Sequence, residues 1–472
     1  MSMKIIPEHI IQAEPQAHGQ LLLSLAFMFM FLLFPFVSWE ILIGLFFFLL
    51  LAIRYLEDRP GTLGMFEPML KIRSTQYLVV SIFILLLVSF VLNLFSATYP
   101  LFVIGQTITI STMGLGVATI VRCHMKSKYA SLTKNKYPSK KYKGDPNSLN
   151  LIPSSISMLI TGIIVASIAG AWIVYWQDPG ISYNLVFFVA VIGSITAALF
   201  ESIPSKIDEN ISIPLGAGMA MWLFFSFGYS VPPQQILFAL LFALFLGYLA
   251  YYAKIADISA SLSATLIGVL IIAFSNIYWF VLLLTFFILG GMFTKYKYKL
   301  KESLGIAESK GGVRTYENVF SNSTAALILA IAYGIYPQHG ELIIFAYLGT
   351  VATAAGDTLA SEIGTTSNQK PRMITTLKPV RTGIDGGVTL LGELSSIGGS
   401  AVIAILAVAF GMVDNVTAAL VITIAGGFLG TNVDSLLGAT LQSRGLLSNS
   451  GVNFVATFIG AIISAGLYLL LF

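Results

Sequence analysis

The chain has 472 residues, of which 56% are hydrophobic and 10% charged, with a formal net charge of +4, and its mean hydropathy is +0.85. Soluble domains carry about 25% charged residues, so this composition excludes an ordinary soluble enzyme and points to an all-α, polytopic membrane protein. The single cysteine, Cys123, excludes an intrachain disulfide and a metal site built on thiolates.

The N-terminal stretch MSMKIIPEHIIQAEPQAHGQ lacks the basic start, short apolar core and small-residue cleavage site of a secretory signal, so the first apolar segment is expected to be a retained anchor. A spanning helix needs roughly 20 apolar residues. Windows of that kind fall near 20–37, 39–53, 77–96, 99–121, 154–176, 183–200, 211–228, 233–252, 260–275, 277–294, 319–336, 340–356, 387–410, 414–431 and 451–471. They predict about fifteen crossings in two halves, 1–230 and 231–472, the second and ninth being short enough for a re-entrant pair. All 26 Lys and Arg residues fall in the N-terminal tail or in alternate loops, while the opposite loops hold acids such as Glu40, Asp178, Glu341 and Asp414. That alternation predicts a cytoplasmic N-terminus.

In the first half, the loop 54–73 has ordinary juxtamembrane charge, and the loop 122–143 carries eight bases that suit anionic lipid as well as nucleotide. Residues 198–210, ALFESIPSKIDEN, place Glu201, Asp208, Glu209 and Asn210 where two apolar segments meet, four groups able to bind a cation or a hydroxyl. With the following IPLGAG this string resembles the closing motif of the nucleotide-dependent lipid alcohol kinases, the dolichol and phytol kinases, and more distantly the phosphatidate cytidylyltransferases. That resemblance implies an earlier Gly-Asp pair, but the counterpart here is GVATIVR at 116–122, with Val117 in place of the acid. The first half is therefore expected to be a degenerate lipid alcohol kinase-like domain.

The second half opens with Lys254 and Asp257 in a short turn, then the run KYKYKLK at 295–301, which snorkelling bases explain without a substrate. In KGGVRTYENVFSNST at 310–324, the glycines beside Lys310 and Arg314 can present N–H groups to phosphate, and Asn318 and Asn322 stand one helical turn apart. Next come GDTLASEIG at 356–364 and KPVRTGIDGGVTLLGE at 378–393. Asp357, Glu362 and Asp385 suit a hard divalent cation, whereas Lys378 and Arg381 suit phosphate oxygens. On a continuous helix Asp357 and Ser361 share a face, but Glu362 points roughly 140° away. Either the helix breaks there or the two acids serve different partners. In GGFLGTNVDSLLGATLQ at 426–442, Asp434 is a further carboxylate, with Asn432, Ser435 and Gln442 nearby, and Asn453 opens the last span.

Together these four motifs resemble the integral membrane family first catalogued as domain of unknown function 92, which includes the phytyl phosphate kinases of plants and cyanobacteria. Leu359 replaces a common tryptophan of that family, Asp385 a usual asparagine, and Ser321 and Ser323 smaller residues. The resemblance implies transfer of a phosphoryl group from CTP or ATP to a polyprenyl monophosphate at the cytoplasmic face, giving the diphosphate. It assigns Asp357, Glu362 and Asp434 to Mg2+, and Lys378, Arg381 and Arg314 to phosphates. Gly386 and Gly387 would let the backbone approach those phosphates, and Asn318, Asn322, Ser361 and Asn453 would complete the nucleotide and phosphate site. The expected partners are the nucleotide, the lipid phosphate and the membrane, with no nucleic acid; the oligomeric state is not legible. The alternatives are a bifunctional polyprenol and polyprenyl-phosphate kinase, a lipid-phosphate cytidylyltransferase, and, in another class, a secondary transporter, whose site would lie near the midplane.

Overall fold

The computed structural model describes residues 27, 32–57, 73–95, 97–136, 151–203, 207–229, 231–307 and 312–471. Most of the first window, the basic loop beyond residue 136, and Lys310 with Gly311 lie outside the described residues. The chain is an integral multi-pass membrane protein. Every predicted window from 39–53 onward holds a helix. Among the described residues eleven helices are long and apolar enough to cross a membrane, and Ile258–Phe274 is a shorter apolar one. The chain divides into two compact units, Met1–Gln234 and Gln235–Phe472.

The first unit contains α1 (Trp39–Glu57), α2 (Arg73–Leu94), α3 (Leu101–Thr109) continuing through a π-turn at Ile110–Gly114 into α4 (Leu115–Lys136), α5 (Leu151–Gln177), α6 (Tyr183–Ser202) and α7 (Glu209–Ser226). Helix α6 is buried along nearly its whole length and carries Glu201 at its end. The Glu201 carboxylate accepts from the hydroxyls of Ser154 (2.8 Å) and Ser155 and pairs with the Arg122 guanidinium. Arg122 also reaches Glu209 at 3.0 Å, while Asp208 caps α7 by accepting from the Asn210 N–H at 2.9 Å. A buried charge survives only when paired and hydrogen-bonded, and Glu201 meets that need through Arg122 and the two serines. Glu209 shares Arg122 from a partly exposed position. Val117 is half-buried in α4.

The second unit contains α8 (Pro233–Tyr252), α9 (Ile258–Phe274), α10 (Ile277–Lys295), α11 (Tyr298–Ser303), α12 (Tyr316–Ile335), α13 (Gly340–Gly364), α14 (Leu390–Ala409), α15 (Val416–Leu437), which runs on into a π-turn at Gly438–Gln442, and α16 (Asn449–Leu471). Helix α13 is the axis, packed on α10, α12, α14, α15 and α16. Without a hydrophobic drive between helices in lipid, such packing depends on close approach of small residues. A Cβ at Gly349 would fall 2.1 Å from Ser464 Oγ and 2.5 Å from the Gly460 carbonyl, and one at Gly399 would fall 2.8 Å from the Ala355 carbonyl. Toward its start α13 is held by aromatics: Tyr347, fully buried, donates to the Trp279 carbonyl at 2.6 Å, with ring centroids 4.3 Å apart.

Two polar motifs just beyond the predicted windows 340–356 and 414–431 are helical. GDTLASEIG forms the last two turns of α13, and Asp434 lies within α15. A 25-residue helix is about 38 Å long against a hydrocarbon core of about 30 Å, so α13 has length to spare for polar turns at its end. The connection from α13 to α14 folds into a small antiparallel hairpin, β1 (Arg372–Met373) against β2 (Gly387–Val388), with Arg372 opposite Val388 and Met373 opposite Gly387.

Candidate active site

In the second unit a cavity of about 430 Å³ is walled by the ends of α11, α13 and α15, the starts of α12, α14 and α16, and the hairpin loop from Thr382 to Thr389. Three helix N-termini therefore converge on one space, and their positive dipole ends favour an anion there. Each start is capped: Asn318 Oδ1 accepts from the Thr315 N–H at 3.0 Å, Thr389 Oγ1 from the Gly392 N–H at 3.0 Å, and Ser448 Oγ from the Gly451 N–H at 3.1 Å.

Asp357 on α13 and Asp434 on α15 meet at this cavity with their carboxyl groups within hydrogen-bonding reach of each other. Arg314 and Asp385 line the same cavity. Small residues permit the approach, since a Cβ at Gly356 would fall 2.9 Å from both Ser396 Oγ and Thr431 Oγ1. Two ionised carboxylates in contact repel, so the pair calls for a shared proton or a cation. Asp434 Oδ2 is buried without a hydrogen-bond partner among the described residues. The donor set fits Mg2+, which takes one or two carboxylates and completes its shell with water and phosphate oxygens. Among the described residues no group of three or more His, Cys, Asp or Glu side chains encloses a metal position, so the remaining donors to such an ion would be ligand oxygens.

Arg314 is held by its backbone, which donates to the Ile255 carbonyl at 2.8 Å and accepts from the Asp257 N–H at 3.0 Å. Its guanidinium crosses the face of α10 at Gly290, where a Cβ would come within 3.2 Å of it, and reaches Thr294 Oγ1 at 3.5 Å.

Glu362 does not join Asp357. Its buried carboxylate accepts from Thr294 Oγ1 at 2.7 Å and pairs with Lys301 Nζ, which also donates to the Phe293 carbonyl at 2.9 Å. Helix α13 is continuous, and its twist turns Glu362 toward α10 and α11 while Asp357 faces α15, so Glu362 lines the cavity already engaged by Thr294 and Lys301 rather than in the Asp357–Asp434 pair. Lys378 and Arg381 are also relocated: both are exposed on the outer side of the hairpin loop and neither lines the cavity. Gly387 donates its N–H to the Ile384 carbonyl at 3.0 Å, so that group is not presented to a phosphate. Gly386, at φ +78°, packs where a Cβ would lie 2.4 Å from Ala439 and 2.7 Å from the Ser435 carbonyl; its role is to dock the loop on α15. Ser361, Asn318, Asn322 and Asn453 all reach the cavity wall, Asn322 donating to the Asn318 carbonyl at 3.0 Å and Ser361 to that of Thr358 at 3.1 Å.

Residues 241–461 match the family described as Integral membrane protein DUF92, a stretch that contains every residue lining the cavity. An uncharacterized membrane protein of Methanocaldococcus jannaschii is 32% identical over 217 residues, 46% of this chain and 87% of that protein. This chain belongs to the DUF92 family. An uncharacterized membrane protein of Synechocystis is 32% identical over 206 residues, covering 43% of this chain and 79% of its own length. Protein VTE6, chloroplastic, of Arabidopsis thaliana is 28% identical over 192 residues, 39% of this chain and 57% of that protein. No solved structure matches the chain.

The DUF92 half holds two polar pairs that the sequence does not announce. Lys301 is one of four bases in a period-two run, yet it is 3% exposed. Only the structure sets it apart: its ammonium reaches back to the carbonyls of Phe293 and Thr294 near the end of α10. The other pair is Asn432 donating to Glu393 Oε2 at 3.0 Å, which ties α15 to the first turn of α14. Glu393 was visible as the acid closing the loop motif, but only the helix packing reveals its partner.

Proposed function

We propose that this protein is a polyprenyl-phosphate kinase whose second unit transfers a phosphoryl group from CTP or ATP to a polyprenyl monophosphate at the cytoplasmic face, giving the diphosphate. The observation that carries the reading is the facing Asp357–Asp434 pair beside Arg314, set where three helix N-termini converge. An attacking phosphate monoester has a second pKa of about 6 and is mostly ionised at neutral pH, so no general base is required. The rate then depends on aligning two anions and neutralising their charge.

Mg2+ held by Asp357 and Asp434 would supply charge neutralisation on the phosphate oxygens. Arg314, fixed by its backbone pairing, presents a planar guanidinium to a second set of oxygens. Asn318, Asn322 and Asn453 surround the anion with neutral polar groups that orient it without adding charge. The hairpin from Thr382 to Thr389 covers one side of the cavity. The first unit is read as a non-transferring partner, since Glu201 and Glu209 are already tied to Arg122.

The test is incubation of the purified protein with Mg2+, γ-labelled CTP or ATP, and either geranylgeranyl phosphate or geranylgeraniol, followed by separation of the lipids. Labelled diphosphate from the monophosphate alone is the expected result. Label from the free alcohol would make the first unit catalytic. Absence of label from both would overturn the kinase reading.

A further inference from the structure

On the outer side of the seam between α14 and α15 runs an apolar groove of about 370 Å³, lined by Ile397, Leu420, Val421, Ile424, Ala425 and Phe428. On α15, Leu420, Ile424 and Phe428 recur every four residues and form one stripe; the next residue in that series is Asn432. On α14, Ile397 follows Glu393 by one turn. Asn432 and Glu393 are hydrogen-bonded at 3.0 Å, and Glu393 lines the polar cavity together with Thr431. Both helices thus change from apolar to polar at the same level, and the groove stops about one helical turn from Glu393 and Thr431, which wall the cavity.

We infer that this groove seats the isoprenoid chain of the lipid monophosphate while its phosphate enters the cavity, an inference that rests on the kinase reading above. The occupant follows from the adjacency: an apolar track that points along the same two helices at an anion-favouring cavity one turn away matches an amphiphile with a phosphate head and a hydrocarbon tail. From Leu420 to Phe428 the track is about 12 Å long, well short of the roughly 30 Å hydrocarbon core. It holds the part of the chain next to the phosphate and leaves the remainder among the lipids. Bilayer and groove are equally apolar, so the track contributes register more than affinity.

The experiment uses the full-length protein in lipid nanodiscs, without nucleotide, and a geranylgeranyl monophosphate bearing a diazirine in the isoprene unit nearest the phosphate. After irradiation, adducts are mapped by mass spectrometry. Adducts on Ile397 and the Leu420–Phe428 stripe are expected, with their yield falling at least tenfold in Ala425→Trp. It should be unchanged in Ile462→Trp, a lipid-exposed position outside the groove. Adducts spread over other helices, or a yield indifferent to Ala425→Trp, overturn the inference. Because no turnover is read, groove adducts in a protein that transfers no phosphate would sink only the kinase reading, and turnover with adducts elsewhere would sink only the groove.

Discussion

Replacing Lys301 by methionine separates the structural role of Glu362 from a metal-binding one. The pair is deeply buried, with side chains 3% and 10% exposed. Removing the ammonium leaves Glu362 with the Thr294 hydroxyl alone, and leaves the Phe293 carbonyl with only the Tyr296 N–H. Breaking a buried pair in this way costs about 3–5 kcal/mol, whereas removing both charges together is near neutral. Lys301→Met and Glu362→Gln should therefore each lower the unfolding midpoint in detergent titrated with SDS, and the double variant should recover most of the loss. The coupling energy expected from the cycle is about 2 kcal/mol or more. In the same preparations, Glu362→Gln should leave the Mg2+ concentration for half-maximal kinase activity unchanged, while Asp434→Asn raises it at least about tenfold. Additive single effects, or a Mg2+ requirement raised equally by Glu362→Gln and Asp434→Asn, would refute the assignment of Glu362 to Lys301.

Asp357→Asn and Asp434→Asn should each reduce phosphoryl transfer by at least about a hundredfold while leaving the unfolding midpoint at or above that of the native protein, because each removes a repelling charge; a large drop in stability would make the pair structural. Arg314→Lys, which loses the planar fork, should impair the use of both phosphate substrates far more than Lys378→Ala or Arg381→Ala, as read from kcat/KM for nucleotide and lipid. Equal losses at all three positions would return the exposed loop bases to the site. Gly386→Ala places a methyl group 2.4 Å from Ala439 at a positive φ, at a cost of about 1–3 kcal/mol, and should expose the hairpin loop to limited proteolysis. An unchanged digestion pattern would show that the loop does not depend on that contact.

The helical architecture was legible because a bilayer leaves a chain little choice: apolar runs of spanning length read directly as helices, and those from 39–53 onward are found where hydropathy places them. Helix ends were less legible. Asp357 and Asp434 lie just beyond the windows 340–356 and 414–431 that hydropathy marks, but a helix can continue past the hydrocarbon when its polar side chains face a cavity. The angular argument about Asp357 and Glu362 resolved correctly into different partners, since helical twist is a local property. The partners themselves were not legible. Lys301 comes from a separate short helix, and nothing in an alternating run of lysines distinguishes the buried one. The apolar groove was equally hidden, because residues facing lipid and residues lining a track have the same hydropathy.

The close contacts of α13 also bear on how this protein tolerates genetic variation. At Gly349 and Gly399 the fold requires the absence of atoms, so the smallest side chains in the spans carry the strictest demands. Large apolar residues on the outside, such as Leu469 and Leu470, are exposed with little packed against them and can exchange for one another. A saturation-mutagenesis scan should therefore show an inverted profile, with the deepest losses at positions that a hydropathy scale ranks as unremarkable. Missense changes from glycine to valine at those contacts, neutral by any measure of polarity, would be the ones to flag first.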